Sequence, residues 1–295
     1  MRITFRNAAW VVLLGLVFLP AALAQQGQRQ GQGQGQPQQQ QPPRQPGTPG
    51  QAAPAQPTPA QPAAPPVNPE EEAAYKAFFD LKETEVDLKI QRGEEFLKKF
   101  PESRYRDSVY STLLSAYVWV QQPDKVLATG EKALQLNPDN LTVLATMGRV
   151  LPRLTRSADL DAEQKLEKAE KYSKHAIELL GNIQKPDNLT EEDFTKAKNE
   201  MLAMCHSGLG FTYIHRQRYP DSVTALEQAT TLIPDADPSD FFLLGVAYQE
   251  TKRFSDAVKA FGRCSEETWA LQERCKQSME QAKKLAAAQP AAPKP

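Results

Sequence analysis

Little in this chain suits catalysis or metal binding. Its 295 residues include three cysteines and three histidines. There is no Cys-x-x-Cys pair and no His-Glu-x-x-His run, so a zinc or redox centre has little to build on. Glycine-rich phosphate-cradling loops are missing, and no serine sits in the Gly-x-Ser-x-Gly setting of a nucleophile elbow. Charge of one sign is lacking too, with 35 Lys and Arg against 36 Asp and Glu. Phosphate binding needs a basic surface, so nucleic acid is not the expected partner. Beyond Leu19 no apolar run reaches membrane-spanning length, and the mature chain is expected to be soluble. Catalytic triads assemble in space rather than in sequence, so Cys205, His206 and His215 remain the residues of an enzymatic reading. Neighbouring helical residues point in different directions, which makes Cys205 a core thiol before it is a nucleophile.

What is present falls into blocks. Arg2 and Arg6 precede the uncharged apolar run Ala8–Leu19, and Ala22-Leu23-Ala24 offers a small-x-small cleavage site before Gln25. Residues 1–24 are therefore expected to be a secretory signal cleaved after Ala24, with an uncleaved anchor as the alternative. No cysteine follows that site, which disfavours a lipoprotein. Without Arg2 and Arg6, 33 basic residues face 36 acidic ones, a net charge near −3. Residues 25–68 are almost wholly Gln, Pro, Gly and Ala, without aromatics. Such a segment buries too little surface to offset its ordering entropy, so it is expected to be a disordered tether, or else a ligand for a partner. Residues 287–295 form a short Ala/Pro tail of the same character. The folded part is expected over 69–286, enough for ten or eleven helices around a continuous core.

That part repeats itself. Leu209-Gly210-Phe211-Thr212-Tyr213 recurs as Leu244-Gly245-Val246-Ala247-Tyr248, 35 residues on. Tyr213 is followed by Ser222, Leu226, Ala229 and Pro234. At the same offsets Tyr248 is followed by Ala257, Phe261, Cys264 and Trp269, and Tyr117 by Val126, Gly130, Ala133 and Pro138. A period near 34 residues means stacked helix pairs, none of which buries its apolar face alone. Gly245 admits a close second helix, Tyr248 fills the far end of the gap, and Ser255-Asp256 reads as the cap of the following helix. Pro138 and Pro234 end their helices.

These residues resemble the tetratricopeptide repeat family, of exported bacterial type. The match is good at 107–138, 203–235 and 238–271. A further unit matches in two pieces, Leu144, Met147 and Gly148, then Ala169, Ser173, Ala176 and Gly181, with about nine extra residues within Leu151–Lys168. A degenerate unit covers 70–103. The resemblance implies an all-α, right-handed α-solenoid of about five helix pairs with a polar, coiled-coil-like C-terminal capping helix. It also implies a binding scaffold, because the fold hosts diverse partners. First helices of such arrays line the concave face. The stripe beside the core stripe is then Ser108, Ser111, Ser115 and Val118 with Trp119 next to them, Met204, Ser207, Phe211 and Ile214, and Phe242, Val246 and Gln249. The Lys and Asn side chains that clamp chaperone tails in some members are missing, so apolar or extended peptide segments are the expected ligands. Self-coverage of this stripe is the competing expectation.

Three further expectations bear on the site. Cys264 and Cys275 lie at facing helix ends, as a disulfide in an oxidising compartment or as two buried thiols. Arg149, Arg153 and Arg156 fall at helical spacing, as an anion-binding patch or as a solvated turn facing Asp159, Asp161 and Glu163. Phe100-Pro101-Glu102-Ser103, followed by Tyr105, looks like phrases in envelope-assembly members of the family. The function expected is a non-catalytic, periplasmic scaffold for a protein or peptide, without cofactor or metal and touching membrane only during export. Self-association through the C-terminal helix is the second reading, and an enzyme or enzyme subunit the third.

Overall fold

The structure is a computed structural model, and it describes residues 68–266 and 268–289. The expected leader 1–24, the segment 25–68 up to residue 67, and the tail beyond Gln289 lie outside the described residues.

The described residues form eleven helices and no strand: α1 Pro69–Phe79, α2 Val86–Lys99, α3 Arg106–Trp119, α4 Pro123–Leu136, α5 Leu141–Leu154, α6 Ala162–Asn182, α7 Glu191–His215, α8 Tyr219–Thr231, α9 Pro238–Glu250, α10 Phe254–Ser265 and α11 Gln272–Ala288. They stack as five pairs, α1/α2 to α9/α10, with α11 packed on α10 as a cap. This is the expected all-α solenoid.

Local chemistry sets the boundaries. Pro123, Pro220 and Pro238 open α4, α8 and α9, where the missing amide costs nothing. Asn140 and Asp237 cap α5 and α9 through their side chains. The turns after α3, α7 and α9 share one design. Gln121, Gln217 and Lys252 take φ of 57°, 56° and 61°, and the next amide bonds back to the carbonyl of Tyr117, Tyr213 or Tyr248 at 3.0, 2.9 and 2.8 Å. This left-handed closure satisfies carbonyls that the helix end leaves over. One expectation fails here: Ser255-Asp256 does not cap α10, which already begins at Phe254. The Asp256 carboxylate instead accepts from Arg253 Nε at 2.9 Å.

Packing follows the repeat. A Cβ on Gly245 would press into the Phe261 ring, so only glycine lets α10 lie this close to α9. The buried apolar residues divide into two main clusters. One runs from Phe78 and Phe96 through Leu113, Leu114 and Tyr117 to Met147 and Leu151. The other joins Val223, Leu226, Leu244, Tyr248, Phe261 and Ala282. The first spans α1–α6 and the second α8–α11, and α7 joins them through Cys205 packed with Leu144, Ala145 and Ala176, Leu209 and Tyr213 packed with Ala225, and Ile214 against the second cluster.

The extra residues after Leu151 form a turn over 155–161 and an early start to α6, while α5 keeps 14 residues. A second irregularity has no counterpart in the repeat pattern. α7 begins at Glu191, twelve residues before its repeat unit, where Thr190 Oγ1 accepts from the Asp193 amide at 3.1 Å. The Phe100–Tyr105 phrase docks α1. Ser103 Oγ donates to Glu71 at 2.6 Å, Tyr105 donates to Glu72 at 2.6 Å, and the Tyr105 ring stacks on Tyr75 at 3.9 Å.

Candidate functional site

The first helices α3, α5, α7 and α9 pack on one another in succession, along the row that the repeat resemblance expects to be the inner face. Its middle is closed. α5 is buried from Val143 to Pro152. Pro152 has no amide to offer the Gly148 carbonyl four residues back. α7 packs against that carbonyl: a Cβ on Gly208 would fall 3.0 Å from the Arg149 backbone nitrogen and nearer still to Gly148. The two backbones therefore meet without intervening side chains, a geometry that favours Cα–H···O contact.

Over this seam lies a cluster of buried charges. Arg149 Nη2 donates to Asp237 Oδ2 at 2.7 Å. Arg153 Nη2 donates to Asp240 Oδ1 at 3.1 Å and to Ser207 Oγ at 2.9 Å. Ser207 Oγ in turn donates to Asp240 Oδ1 at 2.6 Å, and Arg153 Nη1 reaches the Arg149 carbonyl at 2.9 Å. The Arg153 and Asp240 side chains are 10% and 5% exposed. Burial pushes the Asp240 carboxyl above the usual carboxylate range, against the pull of Arg153. Burial opposes the charge of Asp237 as well, yet Arg149, Arg153 and the Ser239 amide hold it below that range. Arg149 and Arg153 thus face carboxylates two repeats away, not the acidic turn at 159–163. Arg156 alone meets that turn, its amide bonded to Asp159 at 3.1 Å.

The expected groove residues divide accordingly. Ser207 is corrected: at 1% exposure its hydroxyl belongs to Asp240 and is closed to a ligand. Phe211 is half-buried, with the Arg153 guanidinium 5.4 Å from its ring centre and the His215 ring at 5.0 Å. Met204 packs against the Leu144, Ala145 and Cys205 cluster. Ile214, Phe242 and Val246 are half-buried against the C-terminal core. Phe242 lies 5.8 Å from Phe261 and carries the Arg274 guanidinium at 5.3 Å. Gln249 and Val118 are half-buried. Trp119 stays open, 50% exposed at the end of α3. Phe79 at the end of α1, Leu136 at the end of α4 and Leu160 in the turn before α6 are also exposed. The repeat pattern does not single them out, since residues at helix ends and in turns carry no core signal.

Cys264 and Cys275 are joined as a disulfide, with Cα atoms 5.8 Å apart. Trp269 Nε1 donates to the Cys264 carbonyl at 2.8 Å across the turn they close. Cys205 is fully buried, and burial pushes its thiol up to about 12, far from a reactive thiolate. His206 is lowered by burial. His215 Nε2 sits 3.0 Å from the Pro152 carbonyl, so the three residues of the enzymatic reading form no relay. Among the described residues no group of His, Cys, Asp and Glu is placed to hold a metal ion, and no helix is long and apolar enough to cross a membrane.

No family model and no curated protein matches the sequence. Solved structures do match in fold. PilW, a widely conserved type IV pilus biogenesis factor, is 13% identical, with 75% of this chain and 90% of that one covered and a TM-score of 0.51. A thermophilic TPR protein from Thermus thermophilus is 15% identical, with 74% and 99% covered and a TM-score of 0.44. The chain therefore has a tetratricopeptide-repeat-like fold.

Proposed function

We propose that this chain is a non-catalytic scaffold, exported to the cell envelope, that docks a protein or peptide segment on the inner face of its solenoid. The observation that carries this is Trp119. It stands 50% exposed beside Val118 on the stripe expected to face inward, and among the described residues the other large apolar side chains left open are Phe79, Leu136 and Leu160, with Trp119 the largest ring. An accessible tryptophan on a rigid helix is the kind of anchor that dominates protein interfaces. The export reading rests on residues 1–24, and a pilus biogenesis factor of the same fold agrees with an envelope role. The buried, high-pKa Cys205 weakens the enzymatic alternative. The test is capture from an envelope fraction by wild type, Trp119→Ala and Phe211→Ala. A specific band lost with Trp119→Ala supports the reading, and an unchanged profile moves the site elsewhere. Light scattering with and without residues 266–295 tests the rival reading, self-association through α11.

A further inference from the structure

The first helix pair carries a charge where later pairs carry core. Lys89 holds the place in α2 that Val126, Ser222 and Ala257 fill in α4, α8 and α10, four residues before Gly93 as Val126 is before Gly130. It is 8% exposed, yet among the described residues its ammonium makes no hydrogen bond and no ion pair. Burial lowers its pKa, and the charges of Glu83 and Glu85, just before α2, raise it. A lone buried charge costs stability, so packing does not account for a lysine here.

Printed contacts place Lys89 between two open rings. A Cβ on Gly93 would lie 2.9 Å from Leu113 Cγ and 3.0 Å from the Phe78 ring, so Phe78, Gly93 and Leu113 share one level of α1, α2 and α3. α1 and α2 are antiparallel, since Tyr75, earlier in α1, meets Phe96, later in α2, with ring centres 6.1 Å apart. α1 and α3 are parallel, since Tyr75 also bonds Ser108, earlier in α3, at 2.9 Å. From that level toward one end, Phe79, Lys89 and Trp119 follow at about 1.5, 6 and 9 Å of helical rise. Phe79 and Trp119 are 47% and 50% exposed.

We infer that this end of the first three helices, with Lys89 as its charged anchor, takes a partner segment in which a single acidic side chain is flanked by apolar ones. The carboxylate pairs with Lys89, and its apolar neighbours cover Phe79 and Trp119. The lysine stem is already buried, so little side-chain freedom is left to lose on pairing. A carboxylate partner also removes the cost of the lone charge. Glu83 and Glu85 repel a run of acidic residues and leave room for one. The inference rests on Trp119 as a docking anchor and adds the chemistry of what docks.

The experiment titrates the full chain by calorimetry with a blocked pentapeptide, Leu-Phe-Glu-Phe-Leu, and its twin with Gln for Glu. Wild type is expected to bind the Glu peptide about tenfold more tightly than its twin. Lys89→Met keeps the buried stem, should melt no lower than wild type, and is expected to bind the two peptides equally. Equal affinities in wild type overturn the inference, as does a preference that survives Lys89→Met, or no binding of either peptide. A lower melt for Lys89→Met overturns it too, because the lysine is then structural. Equal binding of both peptides that is lost in Trp119→Ala removes Lys89 from recognition but keeps Trp119 as an anchor, so the two readings fail separately.

Discussion

The hydroxyl of Tyr248 lies 2.7 Å from Oε1 of Glu227, on the second helix of the preceding repeat. Tyr117 meets Glu94 at 2.6 Å and Tyr213 meets Glu170 at 3.1 Å in the same relation. Each ring also carries a cation: Lys125 at 5.0 Å, Arg218 at 4.4 Å and Arg253 at 4.4 Å. The repeat tyrosine is therefore a latch to its neighbour as well as a space filler, and Tyr–Glu–cation units mark three of the junctions.

Removing one hydroxyl tests the latch. Tyr248→Phe keeps the ring and loses the bond to Glu227, at an expected cost of about 1 kcal/mol. Urea unfolding of Tyr248→Phe, Glu227→Gln and the double variant gives the coupling between them. Additive losses would show that the contact carries no energy of its own.

Glycines at the seams and at a helix end respond in opposite senses. Gly208→Ala drives a methyl into the Gly148 backbone, which has no side chain to move aside, and is expected to cost about 3 kcal/mol or more. Gly181, with nothing within 4 Å of an added Cβ, lies in the last turn of α6. Gly181→Ala is expected to stabilise by about 0.5–1 kcal/mol. Thermal melts of the two variants should move apart.

Acid weakens the latches in a defined window. The Lys125 and Tyr117 hydrogen bonds hold the Glu94 carboxyl below its usual range. Burial pushes Glu170 upward, but Lys174 and Tyr213 outweigh it and leave that carboxyl low too. A depressed folded pKa gives stability that is present above the unfolded value, about 4.3, and is lost as pH falls toward the folded one. Asp240, held high, has the opposite sign, since protonation relieves its burial. Melting temperature is expected to fall below about pH 4.5. Glu94→Gln/Glu170→Gln should flatten that limb, and an unaltered limb would assign the acid sensitivity to other groups.

Reduction tests the C-terminal cap. Opening the Cys264–Cys275 bridge, which spans 11 residues, is expected to remove about 3 kcal/mol on a loop-entropy basis. Hydrogen exchange should show the loss concentrated in α11, with Trp269 fluorescence changing as its bond to the Cys264 carbonyl frees. Loss spread evenly over all five pairs would mean that the cap is not a separate unit.

How much of this the sequence discloses depends on how far apart the interacting residues lie. The helix pairs are legible because Leu244, Gly245, Tyr248, Ala257 and Phe261 recur at fixed spacing, and a local period reports a local face. The pairing of Cys264 with Cys275 is open to sequence reasoning as one of two alternatives because they lie close in the chain. Arg149 and Arg153 mislead because their carboxylates come from two repeats on. That contact occurs once, so no period announces it. The early start of α7 escapes the repeat pattern although Thr190 and Asp193 have the spacing of a cap. Ser207 falls on the expected open stripe, and only the approach of α9 closes it.

The turn geometry at Gln121, Gln217 and Lys252 has a mechanical meaning. Each left-handed residue sits at a corner where two rods join, and a side chain there carries conformational strain. A tug on the ends of the array would meet these corners before it met the glycine seam between α5 and α7. The outer repeats should peel first, leaving the central pair as the last part to come apart.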